Sequence, residues 1–247
     1  MLTRESLGLI FNELNKSDCI VTVFSGLVPS YLIGSVDKKW FIDRLMFLVD
    51  LGCRSPYISF AAAMGGSLEC LEYAHTHGCR WDDAICTYAA LGGSLECLKY
   101  AHAHGCPWDE RTCANAAWVG SLECLVYAHD PPTGDKCPWN TTTCNAAASA
   151  GSLECLVYAH DPPTGDGCPW DEYTCAYAAY AGSLDCLKYA HEHGCPWDES
   201  TCSWAAETGS LDCLIYAHEH GCPWDESTYH DANPVCLEYL ISNDCPH

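Results

Sequence analysis

Basic residues are scarce in this chain: 11 Lys and Arg stand against 33 Asp and Glu, a formal net charge of −22. So negative a surface repels phosphate backbones and anionic headgroups. Nucleic acid and membranes are excluded as partners, and a basic protein surface is favoured. Long apolar runs are missing too. No stretch reaches the roughly 20 residues of a membrane-spanning helix, and residues 1–25 lack the basic start and unbroken apolar core of a secretory signal. The chain is therefore expected to be cytoplasmic, with the nucleus or a virion as other places. In a reducing compartment its 21 cysteines need a role other than disulfides. Also absent is any solitary arrangement of nucleophile, base and orienting partner. Each Cys-His pair recurs in copy after copy, with no Gly-rich pocket beside one of them, so the protein is not expected to be an enzyme.

Repetition is what the chain has in quantity. The stretch Gly182 to Trp197 reads G-S-L-D-C-L-K-Y-A-H-E-H-G-C-P-W, and near-copies begin at Gly66, Gly93, Gly120, Gly151, Gly182 and Gly209. The spacings of 27, 27, 31, 31 and 27 residues mark units too small to bury an apolar face alone, which must stack on their neighbours. Ser67 and its equivalents to Ser210 suit an N-cap, followed by an acidic residue at the positive end of a helix. Leu68, Leu71 and His75 then recur at helical spacing, with Cys70 and Ala74 on the adjacent stripe. Gly78 ends that helix, and Pro107 and its equivalents forbid resumption. After the Trp, Asp198 caps a second short helix from Glu199 to about Thr208, whose Ala205-Ala206 pair permits close helix contact. Strands have no room. The expected fold is all-α, a solenoid of stacked helical hairpins, in one array of about eight layers.

The string T-C-x-x-A-A-x-x-G-S-L-[ED]-C-L-x-Y-A-H-x-x-G-C, over roughly residues 40–247, resembles the ankyrin repeat. More narrowly, it resembles the short Cys-Pro-Trp variants found in large DNA viruses of protists and in protists. The unit is about six residues shorter than the usual 33, and Thr-Cys replaces the ankyrin Thr-Pro-Leu-His. A tight Pro-Trp turn is therefore expected in place of the ankyrin β-hairpin finger. The resemblance implies an ankyrin-like solenoid that binds protein without catalysis.

Residues 1–36 fall outside the repeat. Leu2, Leu7, Ile10, Phe11 and Leu14 line an amphipathic helix whose spacing, with Glu5 and Asp18, resembles the start of an F-box. The resemblance implies docking to the adaptor of a cullin-type ubiquitin ligase; the alternative is a helix that caps the first layer. Residues 37–65 form a degenerate repeat, as a terminal layer requires. The third and fourth copies carry a Pro-Pro-Thr-Gly insert, Asp130 to Asp135 and Asp161 to Asp166, expected to form a paired protrusion. Residues 233–247 are a truncated end, with Asn233-Pro234 opening a final helix.

Five copies hold three cysteines and one histidine in register: Cys70, His75, Cys79, Cys86; Cys97, His102, Cys106, Cys113; Cys124, His129, Cys137, Cys144; Cys155, His160, Cys168, Cys175; and Cys186, His191, Cys195, Cys202. Three thiolates and an imidazole are a recognised structural zinc set. Against this, Cys70 and His75 lie five residues apart on one helix, so their side chains diverge by roughly 140°. Buried packing cysteines are the other reading. The functions open to the chain are a protein-interaction scaffold with or without structural zinc, an F-box substrate receptor, or a structural component of a large assembly, a viral one included.

Overall fold

A computed structural model describes residues 38–81, 84–132 and 134–246. The chain divides into two compact units, residues 1–107 and 108–247, so the division falls inside the repeat region. Among the described residues there are fifteen α-helices and no strand. The first unit holds α1 (Lys38–Asp50), α2 (Pro56–Met64), α3 (Leu68–Thr76), α4 (Ile85–Leu91) and α5 (Leu95–Ala103). The second holds α6 (Glu110–Trp118), α7 (Leu122–His129), α8 (Thr141–Ser149), α9 (Leu153–His160), α10 (Glu172–Tyr180), α11 (Leu184–Glu192), α12 (Glu199–Thr208), α13 (Leu211–Glu219), α14 (Glu226–His230) and α15 (Pro234–Ser242).

Most of the expected caps form, but Ser121 and Ser210, though at the N-cap position, make no side-chain bond to their helices, and the Ser210 hydroxyl instead lies 2.9 Å from that of Thr208. The hydroxyls of Ser67 and Ser183 accept hydrogen bonds from the backbone N–H of Cys70 and Cys186, at 3.3 and 3.4 Å. Asp198 accepts from Ser200 N at 3.0 Å, and Asn233 from Val235 N at 3.1 Å with Pro234 in the first turn. Each satisfies a donor that the helix leaves without a partner. After α3, α5, α11 and α13 a glycine, such as Gly194 at φ 82°, takes the left-handed conformation that stops the helix. The connection after α5, α11 and α13 is a short Gly-Cys-Pro-Trp segment, which is Gly-Cys-Arg-Trp after α3.

Packing runs in two rows. In the second unit α6, α8, α10, α12 and α14 lie against one another in sequence, as do α7, α9, α11, α13 and α15. Each even-numbered helix from α6 to α12 also packs on the odd-numbered helix that follows it, across the Gly-Ser turn. The hairpin thus joins an Ala-Ala helix to the next Leu helix. The first unit repeats the scheme with α2 on α4, α3 on α5, α2 on α3 and α4 on α5.

The core is written once per layer. Leu125, Leu156, Leu187 and Leu214 are fully buried, as are the paired alanines Ala116-Ala117, Ala147-Ala148, Ala178-Ala179 and Ala205-Ala206. A buried Leu stabilises by about 1.5–3 kcal/mol, and the alanines let the even-numbered helices approach. In the degenerate first layer Leu45, Leu48, Val49 and Phe60 are buried. There Gly92 permits a close approach that no other residue would: a Cβ on it would lie 2.4 Å from the carbonyl oxygen of Met64.

Candidate protein-docking surface

The cysteines and histidines of each expected zinc set go to separate places. Cys70, Cys97, Cys124, Cys155, Cys186 and Cys213 are buried on the odd-numbered helices. Burial raises their thiols where it acts most strongly: Cys70 to about 12 and Cys213 to about 11. Eight further thiols of the second unit pair across repeats. Cys113 meets Cys137, Cys144 meets Cys168, Cys175 meets Cys195 and Cys202 meets Cys222. In each pair the helix thiol is pushed up, by the hydrogen bond to its partner and by burial. The partner thiols donate to the carbonyl of the residue capping the preceding even-numbered helix: Cys137 to Asp109 at 3.0 Å, Cys168 to Asn140 at 2.7 Å, Cys195 to Asp171 at 3.2 Å and Cys222 to Asp198 at 3.1 Å.

So Cys144 does not meet Cys137 of its own set but Cys168 of the next, and His129 is with neither. Among the described residues, no three His, Cys, Asp or Glu side chains are grouped so as to hold a metal. The physical reasons are the divergence along the helix and the pairing of each turn thiol with a helix thiol of a neighbouring repeat. These cysteines act as small apolar residues that stitch a turn to its neighbour through a weak S–H donor.

The histidines build an aromatic seam that the sequence alone does not reveal. Five of these rings stack on the Trp of their own turn, with centroids 4.1 Å apart for His75–Trp81, 3.5 Å for His129–Trp139, 3.7 Å for His160–Trp170 and 3.8 Å for His191–Trp197 and His218–Trp224. In the same five, Nδ1 shares a hydrogen bond with the Tyr hydroxyl of the following repeat. The distances are 3.0 Å for His75–Tyr100, 3.2 Å for His129–Tyr158 and His160–Tyr189, 3.0 Å for His191–Tyr216 and 2.9 Å for His218–Tyr239. Burial, the leading cause, lowers the affinity of His75, His129, His160 and His191 for a proton. The second histidine of the unit is exposed and closes the helix: His77, His104, His193 and His220 donate from Nδ1 to the carbonyl four residues back, at 2.8–2.9 Å.

The inserts meet through Asp166. Its carboxylate accepts from Lys136 Nζ at 3.2 Å, lies 3.3 Å from His129 Nε2, and accepts from the Thr164 hydroxyl. The Thr164 and Lys136 bonds hold this carboxyl well below the usual range. Its backbone carbonyl accepts from Trp139 Nε1 at 3.2 Å, and that of Asp135 accepts from Trp108 Nε1 at 3.1 Å. The inserts therefore brace the seam as well as protrude.

What remains outward is the far face of the even-numbered helices, where the copies differ most. Thr-Cys-x-x-Ala-Ala is constant from α6 to α12, yet the residue two after the Cys is Asn115, Ala146, Tyr177, then Trp204. The residue five after it is Trp118, Ser149, Tyr180, then Glu207. The unvarying positions are buried, while Trp118 and Tyr180 are 55% and 50% exposed. Between α6 and α10, the small side chains of α8 leave a groove of about 390 Å³, with Ala146 and Ser149 at its floor and Trp118 and Tyr177 lining it. Beyond it, Tyr173, Tyr177 and Tyr180 cluster about Trp204, with centroids 6.4, 5.1 and 6.1 Å away. Divergence among copies was the signal for this face; attention to the repeated cysteines passes it by.

No protein-family model and no curated protein matches the chain. Solved structures do. The human ASB11 ankyrin repeat domain, determined by crystallography, is similar over 76% of this chain and 98% of its own length, with 18% identity and a TM-score of 0.51. The fold is ankyrin-like. At that identity the likeness is one of architecture. In ankyrin terms, the even-numbered helices correspond to the Thr-Pro-Leu-His helix and the odd-numbered ones to its partner. Among the described residues no strand forms a hairpin finger, and irregular Cys-Pro-Trp segments stand in its place. Leu2, Leu7, Ile10, Phe11 and Leu14, the residues of the F-box resemblance, lie outside the described residues.

Proposed function

We propose that this protein is a non-catalytic protein-interaction scaffold that docks a partner protein on the even-helix face of its second unit. One observation carries the reading: from α6 to α12 the Thr-Cys-x-x-Ala-Ala positions are constant and buried, while the residues two and five after the Cys, on the opposite face of the same helices, differ from copy to copy. Packing demands explain the constancy, and display of a composite surface explains the variation, because rigid layers fix where each outward side chain stands. The ankyrin-like fold supports the same reading. A non-catalytic role also agrees with the burial of the repeat cysteines and with the stacking of His75, His129, His160, His191 and His218 on tryptophan rings.

A photo-crosslinking amino acid placed at Ser149, within the groove, tests this against one placed at Val157 on α9, which is 37% exposed. In cells that express the protein, a discrete protein adduct should form from position 149 and not from position 157. Equal adducts from both positions, or none from 149, would remove the assignment of the docking face.

A further inference from the structure

The groove also indicates what kind of side chain occupies it. Its walls are aromatic: Trp118 rises from α6 and Tyr177 from α10, while α8 between them contributes Ala146 and Ser149. Asn145, on the same groove, is held from both sides. Its Oδ1 accepts from Thr174 Oγ1 at 2.6 Å, and its Nδ2 donates to Asp171 Oδ1 at 3.2 Å. That second bond ties a carboxylate to a residue of the groove wall.

The charge around this site is one-sided. Residues 108–247 contain 22 Asp and Glu against three Lys and Arg, a net of −19. All three cations are engaged within the unit. Arg111 is 2.7 Å from Asp109, Lys136 is 3.2 Å from Asp166, and Lys188 sits 5.6 Å over the ring of Tyr216. The negative field is thus left for a partner to neutralise, and the groove within it is lined by two aromatic rings, Trp118 and Tyr177, alongside small and polar side chains of α6 and α8; aromatic rings attract cations to their faces. An apolar side chain would fill the walls but gain nothing from the field. An ammonium would gain from the field but cannot lie flat along an indole. A guanidinium does both, being planar, weakly hydrated and able to bond a carboxylate in a fork.

We propose that the groove seats an arginine side chain from a basic segment of the partner protein, its guanidinium stacked on Trp118 and Tyr177. This rests on the scaffold reading and adds the chemistry of the occupant.

The test uses the full chain and capped twelve-residue peptides with three arginines spaced by Gly and Ser. Matched peptides carry lysine, citrulline or leucine at the same three positions. Binding is followed by fluorescence anisotropy of a dye on the peptide. The arginine peptide should bind roughly 3- to 30-fold tighter than the lysine peptide, the range spanned by cation–π contacts. Citrulline, isosteric but neutral, should lose binding. Ala146→Trp, which fills the groove, and Trp118→Ala, which removes a wall, should each weaken the arginine peptide about tenfold, while Val126→Ala on α7 should not. Circular dichroism and the urea midpoint establish that each variant is folded. Equal binding of the arginine and lysine peptides, unchanged by either groove variant, would overturn the proposal in favour of the general field. If the leucine peptide binds instead and Ala146→Trp abolishes it, the docking face stands and the arginine assignment falls. If the groove variants alter no peptide and position 149 forms no adduct, the scaffold reading falls as well.

Discussion

The two units share one frame and differ in what they display. Residues 1–107 carry 11 acidic and eight basic residues, close to balance, whereas residues 108–247 carry 22 and three. On the even-helix face of the first unit, Phe60 and Tyr88 pack ring on ring at 4.7 Å, and α4 closes on α2 until Gly92 meets the Met64 carbonyl. On the same face of the second unit, Val119, Ala150, Ala181 and Thr208 stand where Gly92 does, and a groove opens over α8. Yet Leu71 and Leu98 of one unit are as deeply buried as Leu125, Leu156, Leu187 and Leu214 of the other. Frame and display are therefore set by different positions of the repeat.

The largest effect should come from breaking the shared frame in each unit. Leu98→Ala and Leu187→Ala each empty a fully buried site, and each should cost about 2–5 kcal/mol of unfolding free energy, depending on how far the neighbours collapse. Urea denaturation of both variants gives the comparison. A cost below about 1 kcal/mol in either one would show that the leucine layer is not common to the two units.

A smaller effect should separate them. Gly92→Ala places a methyl group against backbone that cannot turn aside, at φ −79° where alanine is otherwise comfortable. Overpacking of this kind costs about 1–3 kcal/mol. Ala181→Val occupies the corresponding place after α10, which is exposed, and should change stability by no more than about 0.5 kcal/mol. Equal costs in the urea midpoint would mean that the close approach of α2 and α4 is not particular to the first unit.

Much of this frame is legible in the sequence because it follows from local rules. Ser67, Ser183 and Asp198 announce helix starts by their oxygen acceptors, Gly78 and Gly194 announce stops by their backbone freedom, and Leu and Ala recur at helical spacing. What the sequence hides is which layer a side chain touches. Cys137 and Cys144 share a copy, yet each finds its thiol partner in a different neighbouring one, Cys113 behind and Cys168 ahead. The partner of His160 is Tyr189, 29 residues on. Repetition makes such errors easy, because a residue in the wrong copy has the right type. The groove was hidden for the opposite reason. Ala146 and Ser149 draw no notice in a helix of small residues, and their meaning depends on Trp118 and Tyr177 standing on either side.

The smallest effect should appear in the pH dependence, and it too differs between the units. Four seam histidines hold a proton less readily when folded than the ordinary value of 6.5, chiefly through burial: His75 in the first unit, and His129, His160 and His191 in the second. Neighbouring charges modify this. His104 opposes a proton on His75, His193 opposes one on His160, and His220 opposes one on His191, while Asp166 beside His129 partly favours one there. Because the folded affinity lies below the unfolded one, the unfolded chain takes up more protons as the pH drops through 6.5. The stabilisation is complete above that value and is lost as the pH falls toward the folded values. The urea midpoint should therefore decline between pH 7.5 and about 5.5. Below about pH 5, protonation of the abundant carboxylates relieves their mutual repulsion and acts in the opposite direction. Replacing His129, His160 and His191 together by Gln should remove most of the decline, and His75→Gln only a minor part. A midpoint that stays level or rises through this window in the unmodified protein would show that the seam does not exclude the charged imidazole, and with it would go the account of why each ring lies between a Trp and the next Tyr.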